Sequence, residues 1–351
     1  MSSLNQVTSS GATIRKTLLT AKLFDRFWDR WFVHGIAAAG IAELRRELTD
    51  ISHWIEGLQS QALQYQKAAA VCAESGKYEE SEHMWRTAGL YYYLIQWIYP
   101  EVTEDKRYWF ERCKAMFENA DRLSEIPIIP VSIPVKEREC CGRMRIPESP
   151  HGCVVLVSPI DSSKEELFTY ESEFVHAGFA TLHVDGPGQG ETLLKQGLKA
   201  SRANWTLFIR QVIDEAAGRF PGLPIFLFGT SSGASWAVHG SFHPKVEKAA
   251  AVSPAFEAGL VLPEYFLERM ACILEDDAVL LPELERFEAG KPVMLFHGKK
   301  DTMVKDEQIY ALYGKLPEGK RMIEYENEGH CCNFKLGEIR KTAAAWFMEG
   351  A

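Results

Sequence analysis

The sequence predicts an α/β protein: a mostly parallel eight-stranded sheet covered by helices, preceded by an all-helical unit. Three observations carry this. From about residue 17 to 124, apolar residues recur at helical spacing, with almost no β-branched runs and very few prolines. Residues 126–135, IPIIPVSIPV, form a proline-punctuated apolar bridge. After it, short apolar runs alternate with amphipathic segments, the rhythm of strand–helix–strand units packed on both faces of a sheet.

Taken in order, the first fifteen or so residues show no such period and are expected to be flexible. LFDRFWDRWFVHGI and IAELRRELTDISHWIEGLQSQALQYQKAAAVCAES then read as amphipathic helices. Gly76-Lys-Tyr-Glu-Glu separates the latter from SEHMWRTAGLYYYLIQWIYPE, whose small and aromatic residues suit a packed helix pair. The expected division is a helical cap over 1–125 and an α/β domain over 126–351. Strands are expected at 130–136, 141–146, 152–158, 179–184, 224–229, 248–253, 292–297 and 321–326. Helices are expected at 164–177, 199–218, 232–242, 305–315 and 334–348. The first two strands suit an antiparallel pair.

Composition excludes several classes of function. With 46% hydrophobic and 25% charged residues and a net charge of -9, the chain of 351 residues is an ordinary globular sequence without a nucleic-acid partner. Its N-terminus lacks the apolar run of a signal peptide, and no stretch of about 18 apolar residues occurs, so a cytoplasmic protein without a membrane partner is expected. The eight cysteines show no C-x-x-C spacing and two pairs are adjacent, which suits reduced thiols rather than a zinc site or disulfide framework.

The chemistry gathers at strand ends. After the apolar run Ile225-Phe-Leu-Phe comes Gly229-Thr-Ser231-Ser-Gly233, then the helix-compatible ASWAVHGSF. G-x-S-x-G between a strand and a helix is the nucleophile elbow, a sharp turn that exposes the serine hydroxyl. On its own the pattern is common in glycine-serine turns. A serine hydroxyl also needs a base, and the base a group that sets its tautomer. In this fold the partners follow in the order acid, then histidine. Asp301 stands just after the seventh strand and His330 just after the eighth, so Ser231, Asp301 and His330 are expected to form a triad. His183 and His297 lie in strands and read as hydrogen-bonded core histidines. His239 falls too far along the helix to reach the serine, and Asp276, Asp277 and Glu257 lack a strand-end position.

An oxyanion needs backbone donors. The Ser232 amide opens the helix after the nucleophile, and the second donor is expected in the loop after the third strand, SPIDSSKEE. Pro159 cannot donate, which leaves Ile160, with Asp161 as second choice. Ser162 or Ser163 with Glu165 or Glu166 also reads as a capping box. Asp185-Gly-Pro-Gly-Gln-Gly190 resembles a phosphate loop but lacks G-x-G-x-x-G and reads as a structural turn.

Together, SPIDSSKEE, DGPGQGET, GTSSG and EGHCCN, joined to the preceding helical half, resemble one branch of the α/β-hydrolases. That branch contains the FrsA-like esterases, the 2,6-dihydroxypseudooxynicotine hydrolase and fungal polyketide-shortening hydrolases. The resemblance implies an α/β-hydrolase core, a helical cap that supplies much of the substrate pocket, no cofactor, and Ser231, Asp301 and His330 as the triad. One segment departs: where the branch commonly has Gly-Gly-Leu, Ser158-Pro159-Ile160 stands, and the loss of glycines narrows the loop's conformations.

The expected partner is a small, apolar, aromatic or polyketide-like molecule with a reactive carbonyl. Either the carbon–carbon bond of a ketone or 1,3-dicarbonyl, or an ester or lactone, would be hydrolysed. Most aromatics of the helical half are expected to pack helices, while Tyr92, Tyr93 and Trp97 are candidates to touch substrate. Exposed aromatics there would permit a homodimer. Two other readings use the same residues: a cyclase, lyase or isomerase that needs no water, and a catalytically silent ligand-binding protein.

Overall fold

A computed structural model describes residues 10–276, 278–284 and 290–349. Its contacts divide the chain into two compact units, one running to Ser124 and including Leu262–Ile273, the other formed by Glu125–Val261 and the chain from Leu274 onward.

The first unit contains α1 (Ser10–Leu23), α2 (Arg26–Val33), α3 (Ala38–Glu47), α4 (Ile51–Glu74), α5 (Tyr78–Trp97) and α6 (Glu104–Asp121). Local chemistry starts the long helices. The Asp50 side chain accepts the amides of Ser52 and His53, and Thr103 accepts that of Lys106, which satisfies donors that a helix leaves open at its first turn. From Arg86 to Trp97 every residue of α5 is buried, so α5 is the central helix, packed between α4 and α6. The Trp54 indole donates to the Leu94 carbonyl and the Ser81 hydroxyl to that of Ala69, tying α4 to α5.

Two expectations need correction here. Residues 10–15, expected to be flexible, belong to α1, while residues 1–9 lie outside the described residues. The reason is a distant partner: Thr13 donates to Glu268 at 2.7 Å and Lys16 bridges Glu264 and Glu268. Those acids sit on a helix within 262–273, a segment expected in the α/β domain. Its Arg269 guanidinium lies 3.8 Å from the centre of the Trp97 ring, so the segment groups with the helical unit.

In the second unit the strands are β1 (Ile128–Val135), β2 (Arg138–Arg145), β3 (Cys153–Val157), β4 (Ala180–Val184), β5 (Ile225–Thr230), β6 (Val246–Val252), β7 (Val293–Gly298) and β8 (Arg321–Tyr325). They form one sheet in the order β1-β2-β4-β3-β5-β6-β7-β8. The expected eight strands are all present. β2 runs antiparallel to both β1 and β4, and the remaining pairs are parallel. β3, β4, β5 and β7 are buried at every residue, as continuous apolar strands between two helical layers should be.

The helices are α7 (Phe168–His176), α8 (Gly190–Gln196), α9 (Arg202–Arg219), α10 (Ser232–Gly240), α11 (Glu264–Ile273, of the first unit), α12 (Asp306–Lys315) and α13 (Leu336–Met348). Five were expected; α8 and α11 were not. α8 follows a glycine-rich run that reads as loop, and it forms because the Asp185 carboxylate, beyond its own first turn, accepts the Glu191 amide at 2.9 Å. No helix among the described residues is long and apolar enough to cross a membrane.

Candidate active site

The carboxyl ends of β5, β7 and β8 bring three side chains together. Between β5 and α10, Ser231 is held at φ 53° and ψ −123°, a conformation that side-chain-bearing residues rarely adopt. Two glycines make the turn fit. A Cβ on Gly233 would run into the Val157 carbonyl, and one on Gly229 into that of Gly233. The Ser231 amide is anchored on the Val252 carbonyl at 2.9 Å.

Ser231 Oγ lies 2.8 Å from His330 Nε2, and His330 Nδ1 lies 2.8 Å from Asp301 Oδ2. With Nδ1–H given to the carboxylate, Nε2 is left to accept the serine proton. Asp301 Oδ1 accepts the amides of Met303 and Val304, which fixes the carboxylate plane. The acid and histidine loops are stitched together, since the Lys299 amide donates to the Tyr325 carbonyl and the Lys300 amide to that of Glu328.

Burial pushes the Asp301 carboxyl up, but the His330 hydrogen bond and charge, with the two amides, leave it below its ordinary value. For His330, burial opposes the charged form, yet the neighbouring Cys331 and the Asp301 carboxylate outweigh it and raise the imidazole to about 10. Only the neutral imidazole accepts the serine proton. The rate kcat/KM should therefore climb with pH above the ordinary histidine value of about 6.5, and Asp301→Asn should move that limb to lower pH. A pH–rate profile of the two proteins checks this; identical limbs below pH ~6.5 would refute it.

The loop after β3, expected to supply an oxyanion donor, differs from expectation. The Ser232 amide opens α10, where no intrahelical acceptor exists for it. The Ile160 amide, however, donates to the Ser232 side-chain oxygen at 2.8 Å, so in this state it is engaged by a hydroxyl. Asp161, the second choice, takes a left-handed backbone at φ 62°. The cause of the difference lies in Ser232, whose side chain the G-x-S-x-G pattern leaves unspecified.

What fixes this loop was not legible in the sequence. The Ser158 hydroxyl meets His183 Nε2 at 2.7 Å, and His183 Nδ1 meets Glu171 at 2.7 Å. Glu171 also accepts from Arg143 at 2.8 Å, and all four residues are buried. Burial pushes the Glu171 carboxyl up, but the Arg143 charge and the His183 contact hold it down at about 2. From the other side, the Gln189 side-chain amide donates to the Ser158 and Pro159 carbonyls. His183 is thus a hydrogen-bonded interior histidine, as expected. The visible signal for the network was a polar residue inside an apolar strand.

The DGPGQGE segment behaves as a structural turn. Its Asp185 accepts the Lys164 amide at 2.7 Å, the Lys164 ammonium and the Glu191 amide, each of the latter at 2.9 Å. Of the capping-box alternatives, the Glu166 amide lies 3.4 Å from the Ser163 hydroxyl, while Glu165 is buried beside Lys164 in this charge cluster. Burial works against the Lys164 charge, but Asp185, Glu165 and Glu191 around it raise its pKa well above the ordinary value.

The three aromatic candidates lie in the interior of the helical unit. The Tyr92 hydroxyl is held by Gln66 and Arg112, and its ring stacks on Trp109. Tyr93 packs on Trp31, and Trp97 on Phe27 and Trp31. These contacts are with other helices of the same unit, the packing role that helical spacing could not separate from a substrate role. Of the remaining candidates, His239 packs against Trp236, His297 pairs with Asp306, and Glu257 accepts the Leu281 amide. Asp277 lies outside the described residues.

Strand order, a strained serine at the β5–α10 turn and an acid and histidine after β7 and β8 are the features of the α/β-hydrolase fold. Comparison with known proteins agrees. A family described as serine aminopeptidase, S33, matches residues 148–285. The "Alpha/beta hydrolase ucsC" of an Acremonium species is 26% identical over 252 residues, 64% of this chain and 51% of that protein. The "2,6-dihydropseudooxynicotine hydrolase" of Paenarthrobacter nicotinovorans is 26% identical over 166 residues, 47% of this chain and 44% of that protein. The chain thus spans about half the length of the curated relatives it matches. A solved "2,6-dihydroxy-pseudo-oxynicotine Hydrolase" shares the fold, with a TM-score of 0.71 at 20% identity over 91% of this chain and 94% of that one. The chain has the α/β-hydrolase fold and is similar in sequence to proteins named hydrolases.

Proposed function

We propose that this protein hydrolyses a bond next to a carbonyl in an apolar aromatic or polyketide-like small molecule, with Ser231 as nucleophile, His330 as base and Asp301 as its orienting acid. The observation that carries the reading is the continuous relay from Ser231 Oγ through His330 to Asp301, at 2.8 Å in both steps. In the cycle, His330 takes the Ser231 proton, the alkoxide adds to the carbonyl carbon, and the Ser232 amide stabilises the developing oxyanion. The departing group then takes the proton from His330, and water, activated by the same imidazole, releases the acyl group.

Both an ester oxygen and a stabilised carbanion can leave in this scheme. A carbanion departs only as an enolate or comparable anion, which limits carbon–carbon cleavage to ketones such as 1,3-dicarbonyls. Support for hydrolysis comes from relatives that are themselves named hydrolases.

Incubation with 1,3-diketones and aryl esters in ¹⁸O-labelled water tests the proposal. One ¹⁸O atom should enter the acid product of whichever class is turned over. Rearranged products of unchanged mass would favour a cyclase or isomerase in its place, and recovery of both classes intact, with no label on Ser231 from a fluorophosphonate, would favour a binding protein.

A further inference from the structure

Ser232 carries a hydrogen-bonding group that the elbow does not require. Its side-chain oxygen accepts the Ile160 amide proton at 2.8 Å, in a residue only 5% exposed. Among the described residues, that hydroxyl has no acceptor for its own proton. A buried donor left unused is costly, and a ligand oxygen would remove the cost.

The loop that bears Ile160 is held at Ser158 and Pro159. Gln189 grips the carbonyls of Ser158 and Pro159, and the Ser158 hydroxyl is tied to His183 and through it to Glu171. A loop so anchored keeps its amide directed at Ser232. Accepting that amide also polarises the Ser232 O–H bond and makes it a stronger donor. The hydroxyl stands at the N-terminus of α10, where the helix dipole favours negative charge.

We propose that the Ser232 hydroxyl is itself an oxyanion donor, so that Ile160 N–H acts through Ser232 Oγ–H on the substrate oxygen rather than directly. Ser232 then supplies two donors, its amide and its side chain. This explains how a loop with Ser-Pro in place of two glycines can serve an oxyanion: its amide need only reach a neighbouring side chain. The inference rests on the reading of Ser231 as the nucleophile.

An alkyl fluorophosphonate tests it without knowledge of the natural substrate. Ser231 Oγ forms a bond to phosphorus, the phosphorus–fluorine bond breaks, fluoride departs and His330 takes the serine proton; the phosphoryl oxygen occupies the oxyanion position. Labelling of Ser231 is followed by mass. For Ser232→Ala, the maximal labelling rate should fall on the order of 10² while the half-saturating concentration stays near that of the parent. Ser232→Thr keeps the hydroxyl and should retain the rate within about threefold, whereas Ser232→Cys, a weak donor, should follow the alanine variant.

Unchanged or faster labelling of Ser232→Ala, with Ser231→Ala inert, would overturn the inference alone and mark the hydroxyl as a plug over the Ile160 amide. Should the alanine variant not fold, as read by circular dichroism, the cysteine and threonine pair carries the same comparison. Absence of label on Ser231 in the parent would overturn the nucleophile assignment and this inference with it.

Discussion

Ser231→Ala should lower turnover on the order of 10³-fold or more, with little change in stability. The elbow itself does not depend on the hydroxyl. Its strain at φ 53° is borne by the backbone, with room made by Gly229 and Gly233, and alanine carries the same Cβ. The substitution therefore removes the attacking oxygen and leaves His330, still bound to Asp301 at 2.8 Å, with nothing to deprotonate. What remains is positioning and oxyanion stabilisation, which act on water only weakly. Single-turnover kinetics on the substrate class identified by the labelled-water experiment, beside thermal unfolding, checks both halves. Near-normal turnover would remove the hydrolase mechanism outright.

Glu171→Ala should destabilise the protein by about 3–5 kcal/mol, the usual cost of stranding one partner of a buried ion pair. Glu171 is 2% exposed and Arg143 5% exposed, and the carboxylate is shared between Arg143 and His183. Without it, a guanidinium stays charged in the interior and His183 loses the group that sets its tautomer. Urea unfolding measures the loss, and Glu171→Gln, which keeps the shape and part of the hydrogen bonding, should lie between. The pH dependence has a definite sign. The folded-state pKa is depressed to about 2 from an ordinary 4.5, so this stabilisation is present above the unfolded value and fades as pH falls toward 2. The alanine variant should lack that acid limb. A loss below ~1 kcal/mol would mean that the site relaxes or admits water, contrary to a sealed network.

The central strands β3, β4, β5 and β7 were legible because each is a short apolar run, buried at every residue, and such runs announce themselves locally. The relay was legible for a related reason: Ser231, Asp301 and His330 each follow a strand, and a parallel sheet brings the carboxyl ends of its strands to one edge. Helix α8 was not, since its glycines speak for a loop and its cap comes from Asp185. Helix α1 and the segment 262–273 were misassigned because Thr13, Lys16, Glu264 and Glu268 find each other across some 250 positions.

The sequence alone determined the α/β fold class, the positions of the eight strands on which it rests, and the three residues that meet at the strand ends, because periodicity, glycine spacing and chain order are local properties. Tertiary structure decided how the loop after β3 is held. It turned the Ile160 amide onto a side chain, sank Lys164 among three carboxylates and placed Tyr92 between Gln66 and Arg112. The physical reason is that a buried donor or charge must take whichever partner the packed chain brings within reach, and that choice has no period along the sequence.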